Sequence, residues 1–166
     1  MAEKNTIKDL LTDELKDLYS AEKQLTKAIP KMVRGSKDAA LKNVFINHLK
    51  ETHEQVLRLE KIGQELGIKV RGKKCVGMEG VIQEGAEILQ EEGDDTVLDL
   101  GIIGAGSRVE HYEMAAYLTA ISLAKRLRES QVVALLKDSL AEVEGEEKTL
   151  RKTASGLIKN AQADAQ

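Results

Sequence analysis

The stretch RVEHYEMAAY, Arg108 to Tyr117, places Glu110 and Glu113 three residues apart among small and apolar side chains. Residues three apart on a helix lie on the same face, and this face also carries Ile103 and Ile121. An unpaired buried carboxylate is costly, so a glutamate normally stays exposed, takes up a proton or meets a cation. The pair therefore predicts one of these three arrangements, and the other helices decide between them.

The composition favours helices throughout the chain. The 166 residues, rich in Leu, Ala, Lys and Glu, include one proline, no tryptophan and three tyrosines. Apolar residues that alternate with polar ones, as in strands, are almost absent. The length suits one domain with a sizeable core, so we predict a single all-α domain over residues 1–166.

Charge and cysteine content limit the classes of function. The net charge of −3 and the pI of about 5.7 do not favour nucleic acid or an anionic membrane as a partner. The single cysteine, Cys75, excludes an internal disulfide and fits a reducing compartment. The first residues do not resemble a signal peptide, and no window approaches the roughly 18–20 apolar residues of a membrane span. We therefore expect a soluble cytoplasmic protein.

Apolar residues at helical spacing predict five helices. Asn5 or Thr6 is positioned to cap the first, and Pro30 should stop or bend it. Ser36 is a candidate N-cap for the second helix, which Gly67 terminates. The predicted spans are roughly residues 6–29, 37–66, 78–91, 95–128 and 130–159.

Four long helices with short links inside each pair and a longer middle connection predict a ferritin-like four-helix bundle. The long crossover connection would carry the short extra helix and the basic segment KVRGKK, residues 69–74. The run GIIGAG, residues 101–106, has two interpretations: close packing of a neighbouring helix, or room beside a site. Packing is the favoured one, because glycine carries no ligand atom.

Each long helix carries glutamate on or beside its apolar face. Glu22 and Glu51 are 29 positions apart and Glu110 and Glu142 are 32 apart, so antiparallel hairpins of similar length would bring each pair level. For one glutamate, an edge position beside a lysine is the ordinary explanation. The full set is Glu22; Glu51 and Glu54; Glu110 and Glu113; and Glu142, Glu146 and Glu147.

Carboxylates clustered at one level repel one another strongly unless protons or a cation compensate. Di-metal carboxylate bundles take a glutamate from each of two helices and Glu-x-x-His from each of the other two. Oxygen-rich ligation suits iron or manganese, and zinc can occupy the same kind of site. The acids therefore predict a core site for up to two metal ions.

Four motifs, LYSAEKQLTKAIPK, HLKETHEQ, KCVGMEG and VEHYEMAAY, resemble the YciF/YciE family of bacterial stress-associated, ferritin-like proteins. The resemblance covers nearly the whole chain, and the last two motifs are its most specific parts. It implies a ferritin-like bundle, a homodimer and an architecture related to rubrerythrin. The activity of that family is poorly defined, so the resemblance implies more about the fold than about the chemistry.

Carried over residue by residue, the rubrerythrin-like pattern implies a ligand set on all four long helices. The chain departs from this pattern at Gly145, three residues after Glu142, which has no ligand atom; Glu146 is the candidate replacement. None of the histidines has the Glu-x-x-His spacing, although His48 precedes Glu51 by three residues and could be a ligand or a partner of one. The implied ligands are Glu22, Glu51, Glu54, Glu110, Glu113, Glu142 and Glu146.

Three functions remain open at this point. The first is a di-metal protein, with iron, manganese or zinc, that oxidises Fe(II) or handles oxidants. The second is a structural or interaction bundle without redox turnover, which Gly145 favours. The third, nucleic-acid binding through KVRGKK, is weaker than a solvated connector, because no aromatic residues interleave and the chain is acidic.

Three further side chains are expected to pack rather than react. Cys75 has no second cysteine or histidine partner in the sequence, so a partly buried packing residue is expected. Tyr19 and Tyr112 lie near the acids in sequence, but core or interface packing is the favoured role for both. The apolar face of the short helix predicts dimerisation.

Overall fold

The structure is a computed structural model that describes residues 3–164. Within this range the chain forms five α-helices and no strands, which confirms the all-α fold. Most predicted helix boundaries lie within three residues of the observed ones. The helices are α1 (Ile7–Gly35), α2 (Ala39–Leu66), α3 (Val76–Ile88), α4 (Asp95–Arg126) and α5 (Ser130–Ile158).

Helix α1 begins at a capping box and continues past its proline. The Thr6 side chain accepts from the Asp9 backbone N–H, and the Asp9 carboxylate accepts from the Thr6 backbone N–H. The prediction that this helix ends at residue 29 is wrong, because α1 runs through Pro30 to Gly35. Ile29 and Met32 are both buried, so the apolar face continues across the proline and packing outweighs the missing hydrogen bond.

The link between α1 and α2 differs from the predicted cap. Ser36 closes α1, since its hydroxyl donates to the Met32 carbonyl at 2.7 Å, so its prediction as the N-cap of α2 is wrong. Asp38 caps α2 by accepting from the Leu41 N–H at 2.8 Å. Asp99 of α4, itself buried, accepts from the backbone N–H groups of residues 37 and 38 and ties this link to the other half of the bundle.

The long helices pair as α1 with α2 and as α4 with α5, and the two pairs pack on each other. Helix α2 ends at Gly67, which adopts the left-handed conformation with φ of 65°. The following segment carries α3, which packs on α4 and α1. This is the predicted four-helix bundle with a helical crossover.

Two apolar clusters fill the bundle. The first apolar cluster lies where α1 and α5 begin and includes Leu11, Leu15, Leu18, Leu59, Ile62, Tyr117, Ile121, Val132 and Leu136. The second apolar cluster lies towards the α1–α2 link and includes Leu25, Ile29, Phe45, Met78, Ile102, Ile103, Val109 and Leu150.

The glycines of the GIIGAG run serve packing. A Cβ on Gly106 would lie 3.2 Å from the Phe45 ring and 3.3 Å from Leu150, and one on Gly101 would lie 3.1 Å from Ile88. The absence of a side chain at residue 106 therefore lets α4 approach α2 and α5 within the second apolar cluster.

The basic connector is largely engaged in ion pairs with acids of the same chain. Arg71 pairs with Glu60 at 2.8 Å, Lys73 with Asp13 at 2.9 Å and Lys74 with Glu79 at 2.5 Å. This geometry supports the solvated connector over a phosphate-binding surface. None of the helices in residues 3–164 is long and apolar enough to cross a membrane.

Cys75 is buried and caps α3 rather than presenting a thiolate. Its thiol donates to Asp17 at 3.0 Å and lies 3.1 Å from the Tyr112 hydroxyl. Burial raises the pKa of the Cys75 thiol, which favours the unreactive form. Tyr112 therefore faces the crossover rather than the glutamates beside it in sequence. Tyr19 also bonds outside the predicted set of core glutamates, because its hydroxyl donates to Glu60 at 2.9 Å.

Candidate metal centre

A layer of acids lies between the two apolar clusters. On α1, Glu22 falls between Leu18 and Leu25 of the two clusters, and on α5, Glu146 falls between Val143 and Leu150. We call the following residues the acid layer: Glu22, His48, Glu51, Glu110, Glu113 and Glu146. Five of these six residues are buried, and Glu51 is half-buried.

His48 lies between the two carboxylates of α4. Its Nδ1 is 3.2 Å from Glu110 Oε1, and its Nε2 is 3.9 Å from Glu113 Oε2. Neither contact has the geometry of a hydrogen bond, and no other described residue bonds to the ring. Both ring nitrogens are therefore available to a ligand. Burial lowers the pKa of His48 to about 4, which keeps the imidazole neutral and suited to a metal ion. One donor atom from each of the three residues lies within 4.8 Å of the others.

Glu22 is held by a tyrosine from the facing helix. The buried Tyr117 hydroxyl donates to Glu22 Oε1 at 2.5 Å, and Glu113 lies beside the same carboxyl group. Burial is the largest effect on Glu22 and raises its pKa to about 7, although the Tyr117 hydrogen bond lowers it. One oxygen of Glu22 is thus fixed, while Oε2 is buried without a partner among the described residues.

Glu51 and Glu146 form a second carboxylate pair between α2 and α5. The Asn47 amide donates to Glu146 Oε1 at 2.6 Å and also contacts Glu51. The pKa of Glu146 is raised to about 7. Burial is the largest cause and the neighbouring Glu51 adds to it, whereas the Asn47 hydrogen bond acts in the opposite direction. The remaining oxygen of each carboxylate, Oε2, is buried without a partner among the described residues.

Glu110 and Glu113 have the most strongly perturbed pKa values of the layer. Burial raises the pKa of each well above its usual range, and the negative charges of neighbouring glutamates raise it further. Those that act on Glu110 include Glu146, Glu22 and Glu51, so its carboxyl group is within electrostatic reach of acids on α1, α2 and α5. A cation bound here would relieve the repulsion that now disfavours the ionised forms.

Glu142 is engaged elsewhere. It forms a bidentate ion pair with Arg58, with distances of 2.6 and 2.7 Å, and accepts from Gln55 at 3.0 Å. Its oxygens are therefore neutralised by a cation of the protein. The missing ligand atom at Gly145 does not affect the layer, because residue 145 is exposed and Glu146 is the residue of α5 that faces the layer.

The prediction that Glu54 lies on the core face is wrong. Its side chain is exposed, because the core face of α2 continues from Glu51 through the buried Thr52 and Gln55. A regular i+3 progression drifts around a helix with 3.6 residues per turn, and by Glu54 it has left the apolar face. His53 and His111 are exposed as well.

Glu147 adjoins the layer on the α4–α5 side. It is buried, and its Oε1 accepts from Ser107 at 3.0 Å and pairs with Arg151 at 2.5 Å. Its charge still raises the pKa of Glu110, so it belongs to the same electrostatic neighbourhood. Unlike the six members of the acid layer, it already has a cationic partner.

Buried polar atoms without hydrogen-bond partners indicate that the acid layer fits a metal ion. Buried donors and acceptors are almost always hydrogen-bonded in folded proteins, and each exception needs an explanation. Here the exceptions concentrate in one layer of oxygens and imidazole nitrogens, the donor set that suits iron, manganese or zinc. Apart from Gln55 Oε1 and Glu147 Oε2, they are Glu22 Oε2, both ring nitrogens of His48, Glu51 Oε2, both oxygens of Glu110 and Glu113, and Glu146 Oε2.

The family described as Domain of unknown function (DUF892) matches residues 6–163. The chain belongs to this family. It is 41% identical to Protein YciF of Escherichia coli K12 over 138 residues, which cover 82% of this chain and 83% of that protein. The resemblance to YciF proteins inferred from the four motifs is thus confirmed.

Solved structures show the same fold. The E. coli stress protein YciF superposes with a TM-score of 0.92 at 36% identity, covering 95% of this chain and all of that one. YcfI from Rhodopseudomonas palustris gives 0.86 at 37% identity, covering 91% and 98% of the two chains. A Xanthomonas campestris protein gives 0.77 at 18% identity, with 93% and 95% covered, and shares the fold alone.

Sequence reasoning missed four residues that shape the site in this family member. Tyr117 lies four residues after Glu113 on α4, a spacing that could have indicated that its hydroxyl reaches the layer. Arg58, Gln55 and Asn47 act across the α2–α5 contact, at sequence separations of 84, 87 and 99 residues. Spacing within one helix carries no signal for such contacts.

Proposed function

We propose that this chain is a ferritin-like, stress-associated protein that binds up to two divalent metal ions, iron or manganese, in the acid layer. The observation that carries the proposal is the concentration of orphaned carboxylate oxygens and imidazole nitrogens between two apolar clusters. The E. coli relative YciF is described as a stress protein, which supports the cellular role. We also propose a cytoplasmic homodimer, in line with the half-exposed apolar face of α3.

The ligands divide into two groups around Glu110. Glu22 and Glu113, with His48, would hold one ion, and Glu51 and Glu146 would hold the other. Glu110 would be shared, because its carboxyl group feels the charge of both pairs. Glu54 and Glu142 stay outside this proposal, since one is exposed and the other is paired with Arg58.

If iron is bound, the chemistry it would supply is the oxidation of Fe(II) by dioxygen or peroxide. The residues of the chain set the conditions for that chemistry. Tyr117 fixes one oxygen of Glu22, so this ligand keeps one orientation, whereas both oxygens of Glu110 and Glu113 are free to change partners. The apolar clusters above and below exclude bulk water from the layer.

A structural bundle without redox turnover is the second candidate. The ion pair between Arg58 and Glu142 favours it, because a protein cation already neutralises one of the acids expected to bind metal. On this alternative the remaining carboxyl groups would be protonated, as their raised pKa values permit.

Metal analysis of protein purified without added metal or chelator separates the two candidates. We expect about two equivalents of iron or manganese per chain in the parent. The double variant Glu22→Gln/Glu110→Gln should lose most of this metal, because it removes one ligand of the first ion and the shared carboxylate. Glu144→Gln is the matched control, since Glu144 is an exposed glutamate of α5 and should leave the metal content unchanged.

Oxygen consumption on anaerobic loading with Fe(II), followed by admission of air, then tests turnover. Consumption that depends on Glu22 and Glu110 supports the oxidase proposal. Metal without oxygen consumption would keep metal binding but remove the oxidase chemistry from the proposal. A parent that holds no metal even after Fe(II) addition would overturn metal binding altogether. Light scattering during size-exclusion chromatography tests the dimer.

A further inference from the structure

The acid layer approaches the surface on two sides of the bundle. On the α4–α5 side the layer adjoins the carboxylate of Glu147, and on the α2–α5 side it ends at Glu51, its half-buried member. Because the two apolar clusters close the layer along the bundle axis, an ion from solvent has to pass between two helices, and these are the two candidate sides.

The α4–α5 side is closed by a charged group. Arg151 Nε lies 2.5 Å from Glu147 Oε1, and the Ser107 hydroxyl donates to the same oxygen at 3.0 Å. A metal cation approaching here meets the positive charge of Arg151, and separating the pair would leave the carboxylate of Glu147, whose side chain is 8% exposed, without its partner. This side therefore resists the passage of a cation.

Over the layer itself, the α2–α5 side is closed by a neutral group. The cation of this side, Arg58, is already paired with Glu142, one helical turn before Glu146 on α5. The exposed Asn47, one helical turn before Glu51 on α2, donates from its amide to Glu146 Oε1 at 2.6 Å, so this amide covers the carboxylate pair on this side. Glu146 is 6% exposed, and its Oε2 lacks a partner among the described residues, as does that of Glu51. Displacing this hydrogen bond leaves no unpaired charge on the departing amide, which can bond to water instead.

We propose that divalent cations reach the acid layer between α2 and α5, where Glu51 and Glu146 take the ion first and the Asn47 amide acts as a latch over them. The inference rests on the proposed function, since it requires that the layer bind metal. It assigns Asn47 a role in the rate of loading and none in the final coordination.

Stopped-flow mixing of the metal-free protein with Co²⁺ under anaerobic conditions tests this route, because the visible absorbance of Co²⁺ reports its coordination. Asn47→Ala opens the carboxylates to solvent and should load several-fold faster than the parent. Asn47→Leu places an apolar side chain over the same carboxylates and should load several-fold slower. Both variants should reach the same final number of ions per chain as the parent.

Asn43→Ala and Asn43→Leu are the matched controls, because Asn43 is an exposed asparagine one helical turn before Asn47. Their loading rates should equal that of the parent. Arg151→Ala tests the opposite side and should also leave the rate unchanged.

Four results would overturn the route. Faster loading in Arg151→Ala, with parental rates in both Asn47 variants, would place the passage between α4 and α5. Loss of one ion in Asn47→Ala would make Asn47 a ligand rather than a latch. If the parent binds no Co²⁺, metal binding fails and the route fails with it, whereas normal binding with unresponsive rates overturns the route alone.

Discussion

The apolar clusters and the acid layer occupy the same bundle but follow opposite rules. In the second apolar cluster, Phe45 packs against Gly106 and Leu150 with no exposed area, so every surface has a partner. In the acid layer, Glu110 and Glu113 are as deeply buried, yet all four of their oxygens lack a hydrogen-bond partner among the described residues. One region is complete as the polypeptide builds it, and the other is suited to a ligand.

This difference assigns stability and function to different layers. Burying an apolar side chain contributes roughly 1.5–3 kcal/mol, whereas an orphaned polar group costs about 1–3 kcal/mol. The apolar clusters therefore hold the fold together and offset the cost of the layer. Substitutions in the two regions should move stability in opposite directions in the metal-free protein.

The largest effect is expected from the second apolar cluster. Phe45→Ala removes a fully buried ring and should lower the free energy of unfolding by about 3–5 kcal/mol, measured by urea denaturation. Leu57→Ala, on the exposed side of the same helix, should change it by less than about 0.5 kcal/mol. Similar losses in both variants would mean that α2 does not present the face described here.

Metal addition should close much of the gap between the two regions. An ion that binds only the folded protein stabilises it by about 2.7 kcal/mol at a free concentration one hundred times its dissociation constant. Thermal denaturation with and without Mn²⁺ measures this gain, and a chelator should reverse it. Glu110→Gln should abolish the gain, because both oxygens of Glu110 are free for metal in the parent. An equal gain in Glu110→Gln would place the ion elsewhere.

The pH dependence of the metal-free protein should follow the acid layer. Glu22 and Glu146 have pKa values of about 7 in the folded chain against 4.5 for the ordinary group, so the folded state holds more protons between these values. Their contribution is fully present below about pH 4.5 and is lost as the pH rises through about 7. His48, with its pKa lowered to about 4, acts in the opposite sense, but only below its ordinary value of 6.5.

The cleanest window therefore lies between pH 6.5 and 8, where we expect a loss of about 1–3 kcal/mol in urea denaturation with a chelator present. Glu22→Gln/Glu146→Gln should reduce the loss across this window, since glutamine does not titrate, while Glu110 and Glu113, whose pKa values are also raised, keep part of it. A parent whose stability is constant across this window would mean that these carboxyl groups are not buried without a partner.

Sequence periodicity was sufficient to predict the bundle, because the spacing of apolar residues within one helix predicts that helix without reference to the others. It identified Glu22, Glu110 and Glu113 for the same reason: each interrupts an apolar face on its own helix. It placed Glu54 wrongly because i+3 steps drift around the helix.

Contacts across helices set the rest of the site. Arg58 withdraws Glu142 from the layer through an ion pair across 84 residues, and no spacing within α5 contains that information. The same holds for Asn47, whose partner Glu146 lies 99 residues away. Which of several adjacent acids is free for metal depends on which has a cation opposite, and the packed bundle decides this.

The smallest effect tests the position that raised most doubt in the sequence. Gly145 lies on the exposed face of α5, and a Cβ there would meet no described atom within 4 Å. Gly145→Ala should therefore raise the free energy of unfolding by about 0.5–1 kcal/mol, because alanine favours the helix interior over glycine. The metal content should stay at the parental value, since Glu146 rather than residue 145 faces the layer. A loss of metal in this variant would show that α5 is turned differently and that the layer extends to residue 145.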